Sequence, residues 1–285
     1  MSSRNVATAT PRAGSGTLQL FGNELSTQFR RRRTWAMLAA LALIPILLGV
    51  AIRLVGGSSP GRGPAFLDQI TGNGLFVSLA ALTVAIPLFL PLTVSVASGD
   101  AIAGEASHGT LRYLLIAPAG RVRLLLVKYL AAVAFCLSAT LTVIAIGALV
   151  GWILFPVGPV TLITGTQVSV GEGLLRLLAV GAYVSVSLCG LAAIGLFLST
   201  LTTVPIGAMA ATAILAVAAQ IVGAIPQLDA VHPWLFTDRW LDFGDLLRSP
   251  IAWDSFAGNA LLQGGYILVF GFAALTRFTT KDVLS

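Results

Sequence analysis

Six apolar segments, each about as long as a membrane-spanning helix, alternate with more polar segments along the chain. About 20 consecutive apolar residues cross the roughly 30 Å hydrocarbon core of a bilayer, so this pattern predicts an all-α membrane protein with six transmembrane helices. The expected spans are about 35–55, 75–98, 124–154, 174–199, 203–225 and 257–276. Lys128 is the one ionisable residue that lies at all deeply inside a span, within about a turn of one end.

The N-terminal region has a different pattern. Residues 1–17 are rich in small and polar side chains, which predicts a disordered tail, and residues 18–285 are expected to form a single transmembrane domain. Apolar residues then recur at helical spacing, at Leu18, Phe21, Leu25 and Phe29. Because polar residues lie between them, this segment is predicted to be an amphipathic helix in the membrane interface, with a short cytosolic helix as the alternative.

Composition supports the membrane assignment. The 285 residues are 56% hydrophobic and only 10% charged, with a mean hydropathy of +0.92. A soluble domain carries roughly 25% charged residues, because its surface must face water. The composition therefore excludes an ordinary soluble domain.

The distribution of basic residues predicts the orientation. If the N-terminus is cytoplasmic, 12 of the 17 Lys and Arg residues lie on the cytoplasmic side, as the positive-inside rule requires. We therefore expect a multi-pass plasma membrane protein with both termini in the cytoplasm. Arg30, Arg31, Arg32 and Arg33 directly precede the first span without interleaved aromatics, which predicts a membrane-interface anchor on lipid headgroups and not a nucleic-acid surface.

Candidate chemistry is sparse. Cys136 and Cys189 fall inside apolar segments, and His108 and His232 lie in separate loops, so we expect no metal site. A P-loop needs glycine directly before its lysine, whereas Lys128 follows a valine and Lys281 follows a threonine. The chain is therefore predicted not to be an enzyme, and any ATP hydrolysis that drives it must occur on another polypeptide.

The segment between the second and third spans, residues 99–121, is unusually apolar for a cytoplasmic connection. Leu111, Leu114 and Leu115 share a helical face there, Gly109 interrupts the helix, and Pro118 ends it. A solvated loop does not need these leucines. We expect them to be covered by the membrane surface, by neighbouring helices or by a partner protein.

This segment resembles the signature of type-2 ABC transporter permeases. The matching positions are Glu105, Gly109, Thr110, Leu111, Leu114, Leu115, Pro118 and Arg121. The six spans, the amphipathic segment before them and the ending Phe278-x-x-Lys281-Asp282 are also similar to that family. The resemblance implies that the segment is a cytoplasmic coupling helix between helices 2 and 3, with these eight residues in the loop that contacts a separate ATP-binding subunit.

The same resemblance implies the partners and the activity. It implies an exporter built from two permease copies, as a homodimer or a heterodimer, with ATP and Mg bound on the partner ATPase and no cofactor in this chain. Hydroxyl and amide groups are scattered among apolar side chains in the spans, which favours an amphipathic or hydrophobic substrate such as a drug, antibiotic or lipid-like molecule. An ion-coupled secondary transporter and a non-transporting assembly subunit remain alternatives; an intramembrane enzyme has no matching residue pair at depth.

Two further patterns bear on packing. Gly147 and Gly151 form a GxxxG spacing, which favours close approach of another helix within the chain or between subunits. The segment from Pro226 to Asp254 is rich in aromatic and acidic residues. An aromatic belt at the membrane interface is the first interpretation, and an external cap over the exit is the second.

Overall fold

The computed structural model describes residues 15–55, 73–107, 109 and 120–280, and about 81% of these residues are helical. A chain in lipid must satisfy its backbone hydrogen bonds internally, and long apolar runs do so as helices. The helices are α1 Ser15–Arg30, α2 Arg32–Val55, α3 Phe76–Ala85, α4 Phe89–Ser107, α5 Arg121–Leu154, α6 Val170–Leu201, α7 Pro205–Gly223 and α8 Trp253–Thr280.

Short elements fill the α5–α6 and α7–α8 connections. Strands β1 Val160–Thr161 and β2 Gln167–Val168 pair antiparallel, with Val160 opposite Val168. Three short 3-10 helices, at Pro226–Leu228, His232–Trp234 and Asp242–Leu247, lie between α7 and α8.

The predicted six-span architecture is confirmed, with one span broken. Helices α2, α5, α6, α7 and α8 are each long and apolar enough to cross a membrane. Helices α3 and α4 together form the sixth candidate span, bent by 59° between Ala85 and Phe89. Pro87 and Pro91 lie at and just after this break, and proline removes a backbone donor from a helix. The sequence predicts one span at 75–98, and the structure extends its second half to Ser107.

The N-terminal helix corrects one predicted boundary. Residues 15–17 are predicted to belong to the disordered tail, but α1 begins at Ser15. Serine and threonine favour helix N-termini, so the small polar residues here begin a helix; residues 1–14 lie outside the described part of the chain. A tight turn then joins α1 to α2, where Thr34 Oγ1 donates to Gln28 O at 2.6 Å and Trp35 Nε1 donates to Phe29 O at 2.8 Å.

Helix α6 lies at the centre of the bundle. In an apolar stretch of 18 residues from each helix, 72% of the residues are buried in α6, 22% in α7 and 17% in α8. Tyr183, Leu188 and Leu191 of α6 belong to the main core together with Phe135 of α5. The outer faces of α2, α7 and α8 carry large exposed apolar side chains, which is expected of helices that face lipid.

The two halves of the broken span pack on different helices. Just before α3, Gly74 meets Gly151 of α5 so closely that a Cβ on either would overlap the other's backbone. Within α3, Ser78 Oγ donates to Ile144 O of α5 at 3.0 Å. The GxxxG spacing of α5 therefore serves close packing within the chain.

Helix α4 packs mainly on α6 and α7, and it also contacts α5. A Cβ added at Gly99 would lie 2.7 Å from the backbone nitrogen of Met209 on α7. Ser199 of α6 accepts hydrogen bonds from the backbone of Ile102 and Ala103 at 3.0 and 2.8 Å, and it donates to Gly99 O at 2.7 Å. Small residues and one hydroxyl thus hold this half of the span tightly.

The segment between α7 and α8 folds back into the bundle. Phe236, Trp240 and Phe243 are at most 7% exposed and join the main core, and Trp240 Nε1 donates to Ser187 O of α6 at 3.0 Å. These three side chains therefore do not form the aromatic belt that the sequence first suggests. Trp234 remains exposed, as a belt residue would be.

Candidate functional site at the basal end of the bundle

A buried lysine joins three helices at one end of the bundle. We call this the basal end; it carries α1, the last turns of α4 and the first turns of α5. Lys128 of α5 is 2% exposed, and its Nζ donates to Glu24 Oε1 of α1 at 3.1 Å and to Glu105 Oε1 of α4 at 2.5 Å. A buried charge is very costly unless it is paired, so this triad fixes the three helix ends relative to one another.

A second ion cluster lies beside the first. Asp100 of α4 accepts from Arg31 at 2.7 Å and from Arg33 at 2.5 Å, at the junction of α1 and α2. The carboxylate side chain is only 10% exposed, whereas the two arginines are 47% and 41% exposed. The two clusters border one polar cleft. Both connect the last two turns of α4 to the N-terminal helices, just before the chain continues into residues 108–119.

The comparison with known proteins identifies the class. Residues 18–232 match the family described as ABC-2 family transporter protein. The chain belongs to the ABC-2 transporter family. It is a multi-pass membrane subunit of permease type, and both ion clusters lie within the matched residues.

One curated relative agrees with this assignment. Over 107 residues the chain is 36% identical to the "Probable ABC transporter permease protein NosY" of Pseudomonas aeruginosa. The match covers 38% of this chain and 35% of the relative, so the two proteins are comparable over about a third of their lengths. Family membership removes the ion-coupled secondary transporter as an interpretation.

The ABC-2 signature residues are only partly described. Glu105, Gly109 and Arg121 are present, whereas Thr110, Leu111, Leu114, Leu115 and Pro118 lie outside the described residues. Gly109 adopts a positive φ of 69°, a left-handed conformation that favours glycine at the end of a helix. The predicted end of the α4 helix at this glycine therefore has a conformational basis.

Two signature side chains bind within the chain. The family resemblance places Glu105 at or near the ATPase contact, and this stays a prediction. In the structure its Oε1 accepts a hydrogen bond from the buried ammonium of Lys128. Arg121 Nη1 donates to Thr279 O at 2.7 Å and to Phe278 O at 3.3 Å. Carbonyls in the last turn of a helix lack intrahelical partners, so Arg121 fastens the loop's far end to the C-terminus of α8.

The predicted arginine anchor has a second role. Arg30 and Arg32 are exposed, while Arg31 and Arg33 pair with Asp100. Headgroup binding by all four stays a prediction. The sequence did not identify Asp100 as the partner of Arg31 and Arg33, or Glu24 as a partner of Lys128. For Glu24 the available signal was Lys128 itself, because an ionisable residue inside a span needs a counter-charge.

Another buried arginine organises the opposite, distal end. Arg176 of α6 is 7% exposed and donates to Arg248 O at 2.6 Å, to Leu246 O at 3.2 Å and to Glu172 at 2.8 Å. It therefore holds the segment between α7 and α8 against the bundle. In that segment, burial raises the pKa of Asp242, and the neighbouring acidic residues act in the same direction.

Among the residues that the structure describes, no group of three or more His, Cys, Asp or Glu side chains is placed to hold a metal ion. The basal end consists of ion pairs that join neighbouring helices.

Proposed function

We propose that this ABC-2 protein is the membrane-spanning permease subunit of an ATP-driven exporter and that a separate ATP-binding subunit powers it. The observation that carries the proposal is the Lys128 triad, within a chain of this family. It ties the start of the connection 108–119 to both α1 and a spanning helix. A force applied to that connection therefore reaches the bundle through paired charges.

We propose that the basal end faces the cytoplasm. Most of the basic residues in the described part of the chain flank this end. They include the arginine run at the junction of α1 and α2, and Arg121 and Arg123 at the start of α5. The positive-inside rule favours that orientation, with both termini cytoplasmic.

The coupling loop is proposed to contact the ATPase through residues that follow α4. The proposed contact surface is mostly apolar and consists of Gly109, Thr110, Leu111, Leu114, Leu115 and Pro118. Glu105 and Arg121 anchor its two ends, on Lys128 and on the C-terminus of α8 respectively. In this account Glu105 acts by positioning the loop and not by direct contact with the ATPase.

We propose that the cargo is amphipathic or hydrophobic and is moved outward. Most hydroxyls in the spans bond to carbonyls of their own helices, as Thr83, Ser185 and Thr212 do at 2.7–3.0 Å. The faces that remain for a cargo are therefore mostly apolar. Because large side chains fill the core of one bundle, the route is expected between two permease copies.

The docking step is tested by co-purification with a candidate ATPase, for example one encoded beside this chain. Leu111→Asp is expected to abolish recovery of the ATPase, because it places a charge in an apolar contact. Ile163→Asp is the matched control: Ile163 is 61% exposed on the β1–β2 turn at the distal end, and its replacement should leave recovery unchanged. Full recovery with Leu111→Asp contradicts the proposed docking loop.

A further inference from the structure

The break between α3 and α4 leaves a carbonyl without its usual helical donor. In an α-helix the carbonyl of residue 87 accepts from the N–H of residue 91. Residue 91 is proline and has no N–H, so Pro87 O has no donor at that position. Pro87 is exposed on the outer surface of the bundle and belongs to a candidate membrane span, where lipid supplies no donor. An unsatisfied carbonyl in that position is strongly unfavourable.

A side chain from another helix satisfies this carbonyl. Gln220 of α7 donates from Nε2 to Pro87 O at 2.6 Å. Gln220 is a polar residue near the end of an otherwise apolar helix, where a leucine or alanine would pack as well. Its amide takes the place of the N–H that Pro91 lacks.

The residues at the break alternate between core and surface. Ile86 and Leu90 are at most 2% exposed and belong to the main core, whereas Leu88 is 44% exposed and Phe89 is 41% exposed. On either side, the start of α3 packs on α5 at Gly74 and Ser78, and α4 packs on α6 and α7 at Gly99. The break thus connects two tightly packed half-spans whose main partners differ.

We propose that residues 86–88 are a hinge within the second span and that Gln220 is the positioning residue that holds this hinge in its bent state. The hydrogen bond from the Gln220 amide to Pro87 O acts together with the packing of the two half-spans to hold the angle between them. The inference is independent of the proposed transport function, because the hinge, the carbonyl and the amide all belong to this chain.

A double-mutant cycle with hydrogen–deuterium exchange in lipid nanodiscs tests the proposal on the chain alone. Gln220→Leu removes the donor and is expected to raise exchange several-fold in the peptide covering residues 82–92, with no change in peptides from α6. Pro91→Ala supplies a backbone N–H for Pro87 O. In that background Gln220→Leu should change the exchange little. A merely structural loss of side-chain packing would not be rescued in this way.

Two controls sharpen the outcome. Pro45→Ala removes a proline from α2 and should not rescue Gln220→Leu, since Pro45 lies in a different helix. Gln220→Asn keeps an amide on a shorter side chain, replaces Gln220→Leu if that variant fails to insert, and should give an intermediate increase. Unchanged exchange at residues 82–92 in these variants overturns the proposal. So does an increase of the same size in the wild-type and Pro91→Ala backgrounds.

Discussion

At the scale of single residues, Lys128 is the most consequential side chain in the structure. Its ammonium is almost completely buried, and two carboxylates from different helices surround it. Breaking a buried ion pair from one side leaves an uncompensated charge and costs about 3–5 kcal/mol, whereas removing both charges is often close to neutral.

This asymmetry gives a prediction. Lys128→Met should lower the free energy of unfolding by about 3–5 kcal/mol, because the half-buried carboxylates of Glu24 and Glu105 then lose their counter-charge. Lys128→Met combined with Glu105→Leu should recover part of the loss. Thermal unfolding in detergent, followed by tryptophan fluorescence, measures both variants. Arg53→Met is the control, since Arg53 is exposed in the last turn of α2 and should shift the midpoint little. Equal loss in the single and double variants contradicts the triad.

The sequence revealed Lys128 but not its partners. A lysine within an apolar span signals a need for a counter-charge, and that signal is local. Glu24 is 104 positions away, and Asp100 meets its arginines across 67 and 69 positions. Nothing in a single sequence specifies which of several acidic residues folds back onto a given base, so the pairing required the structure.

At the scale of elements, hydropathy predicted the spans well and their interruptions poorly. Five of the spans lie on continuous helices, because about 20 apolar residues in lipid have few other options. The second span contains Pro87 and Pro91, which indicate a possible break but not its angle. The 59° bend depends on how α3 meets α5 and how α4 meets α6 and α7.

The segment between α7 and α8 shows a different limit. Aromatic residues near a membrane surface are equally typical of an interfacial belt and of side chains inserted into the bundle. Composition does not distinguish the two. Trp240, which hydrogen-bonds to the backbone of α6, and Trp234, which is 74% exposed, stand six positions apart with opposite environments.

That contrast can be measured. Trp240→Ala should destabilise the protein by about 3–5 kcal/mol, because it opens a cavity in the core and removes a hydrogen bond. Trp240→Phe keeps most of the ring and should cost about 1 kcal/mol, chiefly for the lost bond to Ser187 O. Trp234→Ala is the matched control on the exposed surface and should have a small effect. Similar midpoints for Trp240→Ala and Trp234→Ala in thermal unfolding would show that this segment does not insert.

At the scale of the whole molecule, the bundle has a distinct arrangement at each end. At the basal end, ion pairs tie α1, α2, α4 and α5 together around the connection that is proposed to meet the ATPase. At the distal end, Arg176 and three buried aromatics hold the α7–α8 segment in the bundle. A hinge lies between them in the second span. Movement imposed at the basal end therefore has a continuous mechanical route toward the distal end.

We propose that ATP hydrolysed on a separate chain drives an amphipathic cargo through this ABC-2 permease. The direct measurement is transport of a panel of amphipathic fluorescent dyes into inside-out proteoliposomes that contain this chain with its ATPase. Added ATP is expected to drive dye accumulation, and a hydrolysis-deficient ATPase or the permease alone should give none. Accumulation that follows an imposed proton or sodium gradient and ignores ATP would contradict it, as would the absence of ATP-dependent movement for every dye in the panel.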